Sequence, residues 1–272
     1  MYESYWQLQQ KPFENCSDPR FYYPCESHQA ALLKLRYAIE NRRGAAILAG
    51  PSGSGKTLIV TMLRAMLGEP FTPFVHLVFP QLSAGQLLGY IAAELAGDGE
   101  TPSQDPVQNI RLIERFLTAN TKRDHHAVVA IDESHLLDDP ECLEALRLLL
   151  NFELAGRPGL TLLLIGQPGL LPVLDRTPQL EERMGVKCLL RPLTRAETAQ
   201  YVDHRLGVAG ARRQIFEPEA KAVLHRLTHG VARRINRLCD LSLLIGYAEQ
   251  RASITAEQLE AVCHELVAVA PE

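Results

Sequence analysis

An α/β domain with a parallel sheet, followed by an all-helical domain, is the fold class predicted by this 272-residue sequence. Three observations predict it. Short apolar runs alternate with amphipathic stretches as far as Leu190, the order that parallel strands with helical crossovers require. Those runs are continuous in apolar residues, as in strands covered on both faces. Beyond Leu190 the strand-like runs stop and helix-period stripes continue alone. The expected division is an extended arm over residues 1–27, the α/β domain over 28–190 and a helical lid over 191–272.

The arm is rich in turn dipeptides, Lys11-Pro12 and Asp18-Pro19 among them, and carries Phe21-Tyr22-Tyr23. Its aromatics are expected to pack on the domain that follows. Ser27 suits the N-cap of a helix over His28–Asn41, with Ala31, Leu32, Leu35, Ala38 and Ile39 on one face. Ala45–Ala49 is the first strand; Gly50 to Thr57 follows it, and a helix is expected from Leu58 to Leu67. Pro73–Phe79 reads as the second strand. Ser83 opens a helix with Leu87, Leu88, Ile91, Ala92 and Leu95 as its stripe, Gly97–Gln104 is a polar loop, and Asp105 or Pro106 starts a helix through Leu117. Asn120–His126 reads as a polar connector to the third strand, Ala127–Ile131, which ends in Asp132-Glu133. A helix is expected over Pro140–Leu154 behind the cap Asp138-Asp139, then a fourth strand over Leu160–Ile165, a short helix over Leu180–Met184 and a fifth strand over Val186–Leu190. The last third predicts helices from Thr194 to Leu206, Pro218 to Thr228, Val231 to Gln250, and from Thr255 through Leu266.

Composition narrows the function. A hydrophobic content of 46% and a charged content of 22% are those of an ordinary globular chain. The net charge of −4 excludes a global polyanion-binding footprint. Residues 191–251 nevertheless hold eleven Arg and Lys against six Asp and Glu, a local excess that reads first as solvated helix surface. The six cysteines are scattered with no C-x-x-C spacing, which suits a reducing cytoplasm. The N-terminus, with Glu3, Trp6 and Gln7, lacks a leader pattern, and no apolar run reaches the ~20 residues that span a bilayer. His225 and His229 lie at i, i+4 but lack a third ligand of suitable spacing; His229 before Gly230 reads as a helix end.

Two motifs carry the chemistry. Gly50-Pro51-Ser52-Gly53-Ser54-Gly55-Lys56-Thr57, followed by Leu58, is G-x-x-x-x-G-K-[ST] between a strand and a helix. Its glycines let successive N–H groups face phosphate oxygens, and the helix N-terminus adds partial positive charge. Lys56 is expected to meet the β- and γ-phosphates and Thr57 to bind Mg²⁺. The apolar strand that ends in Asp132-Glu133 supplies the complementary half: Asp132 toward Mg²⁺, Glu133 toward the attacking water. Gln167, at the end of the fourth strand, is the side chain there able to reach a phosphate or the water.

These motifs, with the lid run Gly230-x-x-Arg233-x-Ile235-Asn236, resemble an AAA+ ATPase: a three-layer P-loop sheet with a C-terminal helical lid. The arm pattern KPF…DPRFYY, Ile165-Gly166-Gln167-Pro168 and Asn236-Arg237-Leu238-Cys239-Asp240 are similar to the ExeA/GspA type, the general secretion pathway protein A ATPases, and to transposition ATPases of the TniB/TnsC kind. The resemblance implies a sheet order 5-1-4-3-2, ATP and Mg²⁺ as ligands, and a homo-oligomer. It assigns Gln167 to sensor 1, Arg233 to sensor 2, and Arg183 to an arginine finger acting on the neighbouring subunit, with Arg176 as runner-up. It points to the arm around Phe13 and Tyr22 for the base. Ala232 stands where family members often carry proline. Secretion-type members continue into a membrane span and a cell-wall-binding domain, neither of which these 272 residues contain. The expectation is a cytoplasmic ATPase that remodels or switches a partner in secretion or assembly. The alternative is an ATP-switched DNA-binding adaptor of the TniB/TnsC type.

Overall fold

The computed structural model describes residues 1–78, 80–97, 103–137 and 139–268. It divides into two compact units: Ser27–Ser52 with Ile59–Leu190, and Met1–Glu26 with Gly53–Leu58 and the residues from Arg191 onward.

The first unit is built on a parallel sheet. Helix α1 (Glu26–Glu40) precedes β1 (Ala45–Ala49), and α2 (Lys56–Met66) leads to β2 (Phe74–Leu77). Helices α3 (Ala84–Ala96) and α4 (Pro106–Lys122) cross to β3 (Ala127–Ile131). A 3₁₀ turn at Ser134–Leu136 and α5 (Pro140–Leu149) lead to two short strands, β4 (Glu153–Leu154) and β5 (Arg157–Pro158). The unit closes with β6 (Leu160–Gly166), α6 (Leu170–Asp175), α7 (Pro178–Glu181) and β7 (Met184–Leu189). The five-stranded order is β2-β3-β6-β1-β7, all pairs parallel. This is the expected 5-1-4-3-2 order read from the other edge.

Burial on both faces explains the unbroken strands. Ala45, Ile47, Val129, Ile131, Leu162 and Leu164 join one cluster with the stripes of α3, α4 and α5. The intervening Ala46, Leu48, Val128 and Leu163 are buried outside that cluster, as are Leu35 of α1 and Leu63 of α2, so α1 and α2 cover the opposite face. Ser83 caps α3 in a capping box with Gln86, and Asp105 caps α4.

Several expected boundaries are corrected. Helix α1 begins at Glu26, so Ser27 is inside it, and α2 begins at Lys56, two residues before Leu58. The polar stretch from Asn120 opens as helix: α4 runs to Lys122, and Asn120 is buried because its amide donates to the Thr72 carbonyl (2.8 Å). Helix α5 stops at Leu149, where the chain turns into the β4–β5 hairpin. Ala155 and Gly156 take φ values of +52° and +74° there, the backbone that a primed two-residue turn demands. Met184 belongs to β7, not to the helix before it, and α6 was not expected. Parts of four expectations lie outside the described residues: Phe79 of the second strand, residues 98–102 of the polar loop, Asp138, and residues 269–272 of the lid; Asp139 caps α5.

The second unit is helical: α8 (Arg195–Val208), α9 (Pro218–Thr228), α10 (Ala232–Ala248) and α11 (Ala256–Ala268). Thr194 and Glu197 form a capping box on α8. His229, at φ +52°, ends α9 in the left-handed region. The arm belongs to this core and not to the domain that follows it in sequence. Tyr2, Trp6, Leu8 and Phe13 are buried with Phe216, Ile235 and Leu243, and the Trp6 indole N–H donates to the Leu243 carbonyl (2.9 Å). Arg205 is buried and points its guanidinium at the carbonyls of Pro12 and Glu14, over the Phe21 ring, a cation satisfied by arm oxygens and an aromatic face.

Candidate active site

Parallel pairing brings one end of every strand to the same edge. Ala49 pairs with Gly166, and Ile131 with Leu164, so Gly50, Asp132 and Gln167 leave the sheet side by side. The Gly50 N–H donates to the Gly166 carbonyl (3.1 Å), and the Asp132 N–H extends the β2–β3 ladder to the Leu77 carbonyl (2.8 Å). The carboxyl ends of parallel strands are the usual ligand edge of an open α/β sheet.

Asp132 is 3% exposed. Its carboxylate accepts the Glu133 N–H (2.9 Å) and lies 3.8 Å from His76 Nε2 on β2. Glu133 takes a left-handed backbone, φ +51° and ψ +32°, a cost of about 1 kcal/mol for a residue with a Cβ. The Ser134 hydroxyl donates to the Ile131 carbonyl (2.6 Å) and ties down the turn. Glu133 Oε2 lies 3.4 Å from His135 Nδ1. His135 in turn meets Gln167 twice: the Gln167 backbone N–H at 3.4 Å from Nδ1, and the amide nitrogen at 3.0 Å from Nε2.

In the helical unit the loop segment Gly53–Leu58 lies with α10. Gly53 and Gly55 have φ values of +76° and +93°, backbone open to glycine and strained for other residues. A Cβ on Gly53 would fall 2.5 Å from the Arg233 Cβ, and the Arg233 N–H donates to the Gly53 carbonyl (3.1 Å). The predicted sensor arginine is therefore held to the loop by its own backbone. Ser54 is buried, as is Lys56, which opens α2.

Other predicted residues stand apart. Arg183 precedes β7, at the opposite edge of the sheet: its carbonyl accepts from Ala45 N–H and its guanidinium donates to Asn151 Oδ1 (3.0 Å). Arg176 is exposed at the end of α6. The expectation that Phe13 meets a base is corrected, because Phe13 is 1% exposed and packs edge-on against Phe216. His225 Nδ1 is 3.0 Å from the Thr198 hydroxyl.

Two residues of this edge were missed in the sequence, His76 and His135. The available signal for His135 was its position two residues after Glu133, on a turn that must stay at the edge where Gln167 emerges.

The donors fit a magnesium nucleotide. Gly53 and Gly55 hold the loop in backbone conformations that glycine allows, and Lys56 at the start of α2 is a cation of the kind that meets phosphate oxygens. A carboxylate and a hydroxyl are hard oxygen ligands of the kind Mg²⁺ accepts alongside substrate phosphates.

A family model described as an AAA domain matches residues 39–174. General secretion pathway protein A of Aeromonas hydrophila is 34% identical over 280 residues, an alignment covering 100% of this chain and 50% of that protein. The chain thus spans about half the length of the curated relative it matches. Among solved structures, the Aeropyrum pernix ORC2 protein in ADPNP–ADP complexes superposes with a TM-score of 0.72 at 17% identity, covering 96% of this chain and 75% of that one. Cdc6p from Pyrobaculum aerophilum gives 0.73 at 18%, covering 96% and 74%. Drosophila ORC bound to DNA gives 0.71 at 20%, covering 95% and 65%. At these identities the likeness is one of fold.

Proposed function

The chain belongs to the AAA family, that of the ATP-hydrolysing AAA+ proteins, and on that premise we propose the roles of its residues and its output. The observation that carries the reading is the buried Asp132 carboxylate beside the more exposed Glu133, at the sheet edge from which Gly50–Ser52 also depart.

Backbone N–H groups of Gly50–Thr57, with Leu58 behind them, bind the phosphates, and the Lys56 ammonium lies against the β- and γ-phosphates. Thr57 and Asp132 would hold Mg²⁺, which when bound neutralises phosphate charge. Glu133 accepts the proton of the water that attacks the γ-phosphorus, as the bond to the bridging oxygen breaks and that oxygen leaves on ADP. Gln167 orients the water or a γ-oxygen, and Arg233 adds positive charge from the start of α10. Arg183 completes the site of a neighbouring subunit: its place at the opposite edge of the sheet from Asp132 favours action in trans. The active form is then a homo-oligomer.

Hydrolysis drives the remodelling or switching of a protein partner in secretion or assembly; of this reading, the name of the Aeromonas relative supports secretion. Turnover per subunit, measured across protein concentrations for wild type, Glu133→Gln and Lys56→Ala, tests the reading. A rise with concentration in wild type alone supports it; equal background in all three sinks it.

One observation favours a second reading, an ATP-switched DNA-binding adaptor. Arg233, Arg234 and Arg237 are exposed on the first turns of α10 and form no ion pair among the described residues, although a helix N-terminus disfavours cations. Four other basic residues from Arg191 onward are paired: Arg191 with Glu26 and Glu197, Lys221 with Asp203, Arg226 with Glu260, and Arg251 with Glu249. Affinity for duplex DNA with ATP present, falling steeply with salt, supports the adaptor; no binding at low salt ends it.

A further inference from the structure

We propose that His135 is a positioning residue that holds the Glu133 carboxylate and links it to Gln167, so that contact between Gln167 and substrate decides where Glu133 sits. The proposal rests on the ATPase reading above and names a link between two of its residues.

Three elements build this contact. Glu133 follows β3, His135 lies on the 3₁₀ turn Ser134–Leu136, and Gln167 follows β6. The side chain of His135 is 16% exposed, and the backbone leaves it little room. A Cβ added at Gly166 would lie 3.1 Å from the His135 backbone nitrogen and 3.4 Å from its Nδ1. Glycine at the end of β6 thus keeps the imidazole against Gln167.

The contacts select a tautomer. Glu133 Oε2, 3.4 Å from Nδ1, can only accept. The Gln167 amide nitrogen, 3.0 Å from Nε2, can only donate. A neutral ring protonated on Nδ1 satisfies both: Nδ1–H donates to the carboxylate, and Nε2 accepts from the amide. The Gln167 backbone N–H, 3.4 Å from Nδ1, favours the other tautomer. The charged acceptor is the stronger partner and decides the matter. When the Gln167 amide turns to a phosphate oxygen or the water, Nε2 loses its donor. The ring is then free to rotate, and Glu133 moves with it.

Imidazole ¹⁵N correlation spectra of the full chain, recorded without nucleotide, read this directly. The expected wild-type His135 signal is Nδ1–H, shifting toward Nε2–H in Glu133→Ala. In turnover, His135→Ala lowers kcat about 10- to 100-fold, the scale of a misplaced reacting group, while KM for ATP moves less than about threefold. His135→Asn, whose amide N–H takes the place of Nδ1–H, recovers most of that loss. His135→Ala combined with Gln167→Ala is no slower than Gln167→Ala alone. Gly166→Ala, which keeps the imidazole but crowds it, also lowers kcat in a folded protein. An Nε2–H ring in wild type, multiplicative losses in the double variant, or an Asn variant no better than Ala each overturn the proposal. A wild-type chain that binds no fluorescent ATP analogue overturns the ATPase reading and the proposal together; one that turns over ATP with an Nε2–H ring overturns the proposal alone.

Discussion

The two edges of the sheet are built from the same strands and do opposite work. At the carboxyl edge, Asp132, Glu133, His135 and Gln167 leave polar groups directed at one another. At the amino edge, polar groups are closed off. His126, fully buried, meets the Pro158 carbonyl (3.1 Å) and the Thr161 hydroxyl (2.8 Å), and that hydroxyl reaches the Arg43 carbonyl (2.7 Å). Arg183 departs from that pattern, exposed and tethered to Asn151 by one hydrogen bond. Both edges have buried polar groups; the difference lies in whether backbone carbonyls consume them. Where they do, the result is stability, and where side chains face one another instead, chemistry remains available.

The sharpest way to break this contrast is through Arg183. Arg183→Ala is expected to lower turnover of the assembled protein by ~10³–10⁵, the worth of an arginine finger in related P-loop enzymes, with little change in unfolding midpoint. Mixing it with Glu133→Gln should restore part of the activity, because one mixed interface then carries an intact set. No recovery in the mixture would return Arg183 to the structural edge. Next in size, Glu133→Gln should reduce kcat by ~10²–10⁴ while an ATP analogue still binds, as removal of a general base does. A comparable loss of binding would mean that Glu133 holds the fold or the ligand instead.

The amino edge predicts pH dependence of stability. Burial, then the Arg42 charge, lowers the His126 pKa from 6.5 to about 4. Between those values the unfolded chain binds more protons than the folded one, so stability rises with pH. The contribution is fully present above about pH 6.5 and is lost as pH falls toward 4, of order 3 kcal/mol over that range. Urea unfolding at several pH values checks it: His126→Gln should flatten the slope, and an unchanged slope would place the titration elsewhere. The smallest effect separates the edges by their glycines. A Cβ on Gly185 would lie 2.9 Å from the Arg43 Cβ, at the irregularity where Ala45 pairs with Met184 and Ala46 with Val186. Gly185→Ala should cost about 1–3 kcal/mol of stability and leave turnover per folded subunit unchanged, the reverse of Gly166→Ala.

Legibility followed the same line. The strands were readable because burial on both faces forces unbroken apolar runs such as Ala45–Ala49 and Leu160–Ile165. Capped helices were readable at Ser83, Asp105 and Thr194, where a side chain satisfies free N–H groups. Asn120–His126 was misread because a polar helix end looks like a loop until Asn120 finds the Thr72 carbonyl, 48 residues away in sequence. The arm was misassigned because aromatic residues report that they will be buried, not against what.

The sequence by itself determined the phosphate-binding loop and the acid pair, since both depend on local spacing: glycines that permit positive φ, a lysine at a helix start, carboxylates at a strand end. It determined the parallel α/β class for the same reason. Tertiary structure alone decided that His135 stands between Glu133 and Gln167, that the Arg233 N–H meets the Gly53 carbonyl, and that Trp6 and Phe13 lie under the C-terminal helices. Apart from the Glu133–His135 pair, these contacts join residues tens to hundreds of positions apart. Spacing along the chain carries no record of such pairs; they come into being when the strands take their register and the helices bury their stripes.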